Sequence, residues 1–147
     1  MLKNTAIGTL IEKLKTLDEE IVWFHSLDND EFKQQFVGWI QEQLQSGEDG
    51  KGDVMGLYSF ATEIISGGEK KEGDPFTLKD SGDFYNSMFL VVMSDEIQLE
   101  ADYSKSDGTE LNLEYGNAIT DLNDENLEEL KRIVLKKYID YINNLLR

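Results

Sequence analysis

Cysteine is absent from this 147-residue chain, and histidine and proline occur once each. Without cysteine, the fold holds neither disulfide bonds nor thiolate metal sites. A hydrolase usually needs a histidine oriented beside a nucleophile, and the neighbour of His25, Ser26, gives no reason to expect that pairing. With Pro75 as the single proline, helices can run without interruption.

Positive charge and long apolar runs are also scarce. Fourteen Lys and Arg face 30 Asp and Glu, which gives a net charge of −16. A chain this acidic repels nucleic acid and anionic membranes, so we expect neither sequence-specific nucleic-acid binding nor a membrane partner. No apolar run approaches the ~20 residues of a membrane span. Residues 1–4 lack the apolar core of a signal peptide, which predicts a protein made in the cytoplasm.

The length predicts one domain, residues 1–147, with a helical N-terminal region (1–47), a hairpin-containing core (57–122) and a C-terminal helix (123–147). Apolar residues at helical spacing predict a first helix that breaks near a Thr16–Glu19 capping box. A second helix is predicted from a cap at Asp28 to Gly47. Its apolar face repeats every four residues and comprises Phe32, Phe36, Ile40 and Leu44.

The terminal helix has a broader apolar surface than one face can hold. Asn123 or Asp124 is its predicted cap. One stripe has an average period of 3.6 residues, and further apolar residues widen it: Ile133, Leu135, Ile139, Ile142 and Leu146. Such a helix lies deep in the fold or meets a partner subunit.

The middle of the chain predicts an antiparallel β-hairpin. Residues 88–93 form an apolar run that favours a strand covered on both faces, and residues 96–103 alternate apolar with polar. Residues 57–66 are ambiguous, with a short helix preferred. The fold class is therefore α+β, with helices at both ends and a hairpin or small sheet between them.

No segment carries a catalytic, cofactor or metal signature. Residues 49–53 approach a calcium loop, but Lys51, Val54 and Phe60 stand where the pattern needs a ligand, a glycine and a glutamate. Pairs of carboxylates are unavoidable among 30 acids and carry little information. We expect no enzyme, no cofactor and no metal.

The order of segments resembles the small neck and tail-completion proteins of tailed bacteriophages, the virion-morphogenesis type. The resemblance covers roughly residues 30–147 and is carried by Tyr58-Ser59, Ala61-Thr62, residues 78–87, the hairpin 88–103, Tyr115-Gly116 and residues 119–122. It implies a non-enzymatic structural subunit of the virion, made in the host cytoplasm. Copies would form a ring at the head–tail connector, neck or tail terminus and contact portal, connector or tail proteins.

Aromatic residues are the predicted assembly contacts, because Trp and Tyr are favoured interface anchors. The candidates are Phe84, Tyr85, Tyr115, Tyr138 and Tyr141. Core packing around the hairpin is the alternative for Phe84 and Tyr115. The alternative function is an acidic binding protein that masks a basic or DNA-binding partner.

Overall fold

Helices and one antiparallel strand pair make up the computed structural model, which describes residues 5–147. The helices are α1 (Ala6–Lys15), α2 (Glu19–Leu27), α3 (Asp30–Gln45), α4 (Phe60–Ile65), α5 (Asp83–Ser87), α6 (Leu111–Tyr115), a 3-10 turn (Asn117–Thr120) and α7 (Asp124–Leu146). The strands are β1 (Phe89–Val92) and β2 (Ile97–Glu100). The α+β prediction is confirmed, with a helical N-terminal region and a long C-terminal helix. Residues 1–4, considered above for a signal peptide, lie outside the described part.

The break between α1 and α2 is confirmed, but its predicted cap is wrong. Thr16 ends α1, and its hydroxyl lies 3.1 Å from the carbonyl oxygen of Lys13. The cap of α2 is Asp18, whose carboxylate accepts the amide of Glu20 at 3.0 Å. A carboxylate beside the exposed amides of a first turn also interacts favourably with the helix dipole.

The cap of α3 is Asn29 instead of Asp28. Asn29 has extended backbone angles, and its side chain accepts the amide of Phe32 at 3.0 Å. Asp28 follows the last turn of α2, where its amide donates to Phe24 and its carboxylate pairs with Lys33. The two helices lie so close in sequence that Asp28 serves the end of one and Asn29 the start of the next.

The hairpin forms where it was predicted, with Leu90 opposite Leu99 and Val92 opposite Ile97. It is a two-stranded sheet within residues 5–147. The prediction that β1 is covered on both faces is wrong, because Leu90 and Val92 are buried while Phe89 is 57% exposed. The sheet packs on α3 through one face, and the described part of the chain supplies no second layer for the other.

α3 is the centre of the core. Its four-residue repeat is buried as predicted, and Ile40 and Leu44 are inaccessible to solvent. The core cluster also includes Leu27, Phe84, Tyr85, Met88, Leu90, Val92, Leu111 and Ile119. The short α5 and α6 therefore close the core around α3 and the hairpin.

A buried amide joins α3 to the start of α7. The Nε2 group of Gln43 donates to the carbonyl of Asp121 at 2.9 Å. Its Oε1 accepts the amide of Asn123 at 2.9 Å and the side-chain amide of Asn126 at 2.7 Å. Of the two predicted caps of α7, Asn123 is the one that forms, and its side chain accepts the backbone amide of Asn126. Gln43 thereby fixes where α7 begins.

The glycine-rich loop after α3 makes one close backbone approach to the same region. The amide of Gly50 donates to the carbonyl of Ala118 at 2.7 Å. A Cβ atom at position 50 would lie 2.5 Å from the Cβ of Asp121. Glycine is needed here for space, which gives this loop a fixed attachment beside the start of α7. Within residues 5–147, no helix combines the length and apolar character that spanning a bilayer requires.

Candidate assembly surfaces

The predicted contacts on α5 lie inside the protein. Phe84 and Tyr85 are both buried, and the ring of Phe84 lies 5.7 Å from that of Tyr103. The Tyr85 hydroxyl donates to the carbonyl of Thr77 at 2.5 Å, and burial raises the pKa of Tyr85 above its ordinary value. Phe84 therefore packs in the core, as the alternative given for it proposes, because the surrounding helix and hairpin leave almost no ring surface for a partner.

The predicted contacts on α7 are partly used within the chain. The ring of Tyr138 stacks on Trp23 with centroids 4.7 Å apart. Tyr141 stacks on the imidazole of His25 at 6.0 Å, which gives the single histidine a packing role. Both tyrosines remain half-exposed. They join α2 to α7, and their contact with a partner stays a prediction.

α7 is a peripheral helix, and none of its residues is buried. Leu135 is 58% exposed and Ile139 is 48% exposed. Ile142 and Leu146 continue this stripe at helical spacing and are partly exposed. Of the two positions proposed for such a broad apolar helix, the deep one is therefore excluded.

α1 carries a second exposed apolar stripe. Ile7, Leu10, Ile11 and Leu14 share one face and are each between 37% and 61% exposed. The Nζ group of Lys13 lies 3.4 Å from the carbonyl oxygen of Leu145, which places α1 beside the C-terminal end of α7. We call these α1 residues together with Leu135 and Ile139 the helical-end surface. Exposed groups of large apolar residues of this kind are typical of interaction sites on soluble proteins.

Other exposed apolar residues lie away from the helical end. In and before α4, they are Leu57, Phe60, Ile64 and Ile65. On α6, Leu113 is 81% exposed. Their local sequences mix polar and apolar residues without a clear period, so periodicity does not indicate which of these side chains face water.

Tyr115 borders a pocket of about 200 Å³ that collects distant parts of the chain. Its walls include Tyr58, Phe76, Leu78, Asp80 and three lysines, Lys70, Lys79 and Lys105. The ring of Phe76 lies 4.9 Å from that of Tyr58 and 6.2 Å from that of Tyr115. Burial is the main cause that raises the pKa of Tyr115. The segments with Tyr58, Leu78–Asp80 and Tyr115 therefore meet here.

Asp80 organises the charges of this pocket. Its carboxylate accepts a hydrogen bond from Lys70 at 2.8 Å and lies 3.8 Å from the ammonium of Lys105. The hydrogen bond raises the pKa of Lys70 and lowers that of Asp80. Leu78 is the residue other than glycine with positive φ (54°) within residues 5–147, a strained conformation for a bulky side chain. The ion pairs hold the segment that contains this turn against the loop that contains Lys105.

In the loop that partly matches a calcium-binding pattern, the carboxylate of Asp49 binds backbone amides of the same loop. The carboxylate of Asp49 accepts the amides of Lys51 at 2.9 Å and Asp53 at 3.0 Å. Asp49 is buried, so these bonds replace its hydration. Among residues 5–147, no group of three or more His, Asp and Glu side chains is placed to hold a metal ion.

Comparison with known proteins adds no relative. No family model matches the chain. Neither the curated proteins nor the solved structures contain a significant match.

Proposed function

We propose that this protein is a non-enzymatic structural subunit of a tailed-phage virion, in a ring at the head–tail connector, neck or tail terminus. Two kinds of observation support this proposal. The first is the resemblance of residues 58–62, 78–87 and 115–122 to neck and tail-completion proteins. The second is the uncovered helical-end surface, which is the observation that carries the proposal.

The energetics of α1 favour a partner for this surface. α1 has ten residues, and isolated helices shorter than about 12–15 residues are marginal in water. Helices of this length are stabilised by packing of their apolar face, and four apolar residues of α1 remain substantially exposed. Fully burying one Leu or Ile contributes roughly 1.5–3 kcal/mol. A partner that covers several of these residues would therefore offset much of the translational and rotational entropy that is lost on association.

The hairpin offers a second kind of contact. Because the sheet has two strands within the described residues, the outer edges of β1 and β2 are unpaired there. Exposed strand edges can accept a strand from another chain. In a ring, such an edge can join neighbouring subunits in addition to helix packing.

The acidic-binding alternative is favoured by one observation. Residues 94–129 contain twelve acids and one lysine, a net charge of −11. A surface of this charge would attract a basic protein, and such a complex would weaken as salt rises. The ring and masking functions therefore differ in whether the partner is a copy of the chain or a basic protein.

Solution mass tests the ring proposal. We expect light scattering after size exclusion to show an oligomer of one discrete mass. The fraction of protein in this oligomer should rise with protein concentration. The variant Leu135→Ser/Ile139→Ser should associate at least about tenfold more weakly, because it removes apolar area from the helical-end surface. Val54→Ser is the matched control, since Val54 is exposed to a similar extent but lies in the loop after α3, outside the helical-end surface. Circular dichroism should show that all three proteins are folded.

Two results would count against this proposal. An oligomer that forms equally well in the double serine variant would assign assembly to another surface. A wild-type monomer at every concentration would contradict the ring, and salt-sensitive binding of that monomer to a basic nuclease would support the masking function instead.

A further inference from the structure

Charge changes sign along α7. The segment from residue 130 to residue 147 contains five Lys and Arg and one acid, a net charge of +4. Residues 94–129, which precede it, have a net charge of −11. In a chain with a net charge of −16, the C-terminal part of α7 is thus a local basic region.

The basic residues border the exposed apolar stripe. Arg132 precedes Leu135 by three residues, and Lys136 precedes Ile139 by three, so each pair shares a helix face. Within residues 5–147, no carboxylate lies at ion-pair distance from Lys136 or Lys137. Arg132 pairs with Glu129 at 2.9 Å, so Lys136 and Lys137 are the cations near the stripe that have no carboxylate partner in the described chain.

α6 presents the opposite combination. Among the large apolar residues of the described part of the chain, Leu113 is the most exposed after Ile65, and its neighbour Glu114 is also exposed. Asp107 and Glu110 lie just before it in the chain. We call Asp107, Glu110, Leu113 and Glu114 the α6 surface. The α6 surface places acidic residues around an exposed apolar side chain. The helical-end surface, in contrast, places basic residues beside an exposed apolar stripe.

The two surfaces lie at different positions along α7. α6 packs on the 3-10 turn that leads into the start of α7. Leu135 and Ile139 of the helical-end surface come 11 and 15 residues after Asp124, the first residue of α7, which is about 16–23 Å along the helix axis at 1.5 Å per residue. Leu113, Leu135 and Ile139 all remain exposed in one copy, so its two surfaces do not cover each other, but two copies can pair them.

We infer that the helical-end surface of one copy binds the α6 surface of a second copy. Leu113 packs on the stripe of Leu135 and Ile139, and Glu114 faces Lys136. A contact between two different surfaces leaves one of each free, so the same contact can add further copies and closes into a ring when the rotation allows it. This inference rests on the proposed ring function and adds the direction in which neighbouring subunits join.

A charge swap tests this contact. Lys136→Glu and Glu114→Lys should each weaken self-association at least about tenfold, because each places like charges opposite one another. The chain that carries both substitutions should recover to within about threefold of the wild type, because the pair is restored with reversed sign. Lys71→Glu and Glu69→Lys are the matched controls, since both are exposed residues of another loop. Sedimentation velocity over a concentration series at low and moderate salt gives the association constants.

Cross-linking gives a second, independent readout. In a mixture of ¹⁴N- and ¹⁵N-labelled wild-type protein, a carbodiimide should join Glu114 of one copy to Lys136 of another, and mass spectrometry identifies mixed-isotope pairs. Oligomers that are unaffected by both single swaps and lack this cross-link would overturn the inference while the ring proposal stands. A wild-type protein that stays monomeric at every concentration would overturn both.

Discussion

Gln43 permits a sharp test of how the helical layer is attached to the core. Its side chain makes three hydrogen bonds, with the carbonyl of Asp121, the amide of Asn123 and the side chain of Asn126. Gln43→Met removes all three while leaving a side chain of similar length and volume. The change therefore isolates the polar contacts from the cost of a cavity.

The expected loss follows from these bonds. Each contributes about 0.5–1.5 kcal/mol net, and groups left buried without a partner raise the cost. We expect Gln43→Met to lower the free energy of unfolding by about 2–4 kcal/mol. For a chain of this length, each kcal/mol lowers Tm by roughly 2–4 °C.

Urea unfolding measures this loss, with the fluorescence of Trp23 and Trp39 and far-ultraviolet circular dichroism as two probes. Gln35→Met is the matched control, because Gln35 lies on the exposed face of the same helix. It should stay within about 0.5 kcal/mol of the wild type. A Gln43→Met protein equally close to the wild type, with an unchanged denaturant slope, would refute the assignment of Gln43 as the anchor of α7.

Two further substitutions test the buried α5 pair. Phe84→Ala should lower the free energy of unfolding by about 3–5 kcal/mol in urea, and a stable Phe84→Ala protein that fails to assemble would restore its interface role. Tyr85→Phe should cost about 1 kcal/mol at neutral pH, because Thr77 loses its donor. The pKa of Tyr85 in the folded state is raised above 10.0, its ordinary value. Its contribution to the free energy of unfolding is therefore fully present below pH 10 and is lost as the pH rises through the folded-state pKa. Unfolding measured at about pH 9 and 11 should show a smaller alkaline loss in Tyr85→Phe, and an equal loss would contradict this assignment.

Local patterns predicted the elements well because periodicity and caps depend on neighbouring residues. The four-residue repeat of α3 and the hairpin formed as expected, and the cap of α7 is Asn123, one of the two residues predicted for it. The choice between Asp28 and Asn29 required knowing where α2 ends. Predicting whether β1 is covered on one face or on both required knowing how many layers pack on the sheet. The sequence of residues 88–93 does not specify that number.

The candidate site was predictable in part. The breadth of the apolar surface on the terminal helix indicated either a deep position or a partner subunit, and the exposure of Leu135 and Ile139 excludes the deep position. Aromatic character alone did not separate Phe84, which is buried, from Tyr138, which is half-exposed. The pocket at Tyr115 could not be foreseen, because Lys70, Lys79 and Lys105 come from separate segments.

The peripheral position of α7 links assembly to local stability. α7 has no buried residue. It is held by its packing on α2, by the bonds of Gln43 and by Leu130, Ile133 and Val134, which pack on the outside of the core cluster. Detaching such a helix costs less free energy than unfolding the whole chain. A neighbouring copy bound at the helical end raises that cost by its own binding free energy. The ring would then complete the stability of its subunits, and amide hydrogens in α7 would exchange with solvent more slowly once neighbours are in place.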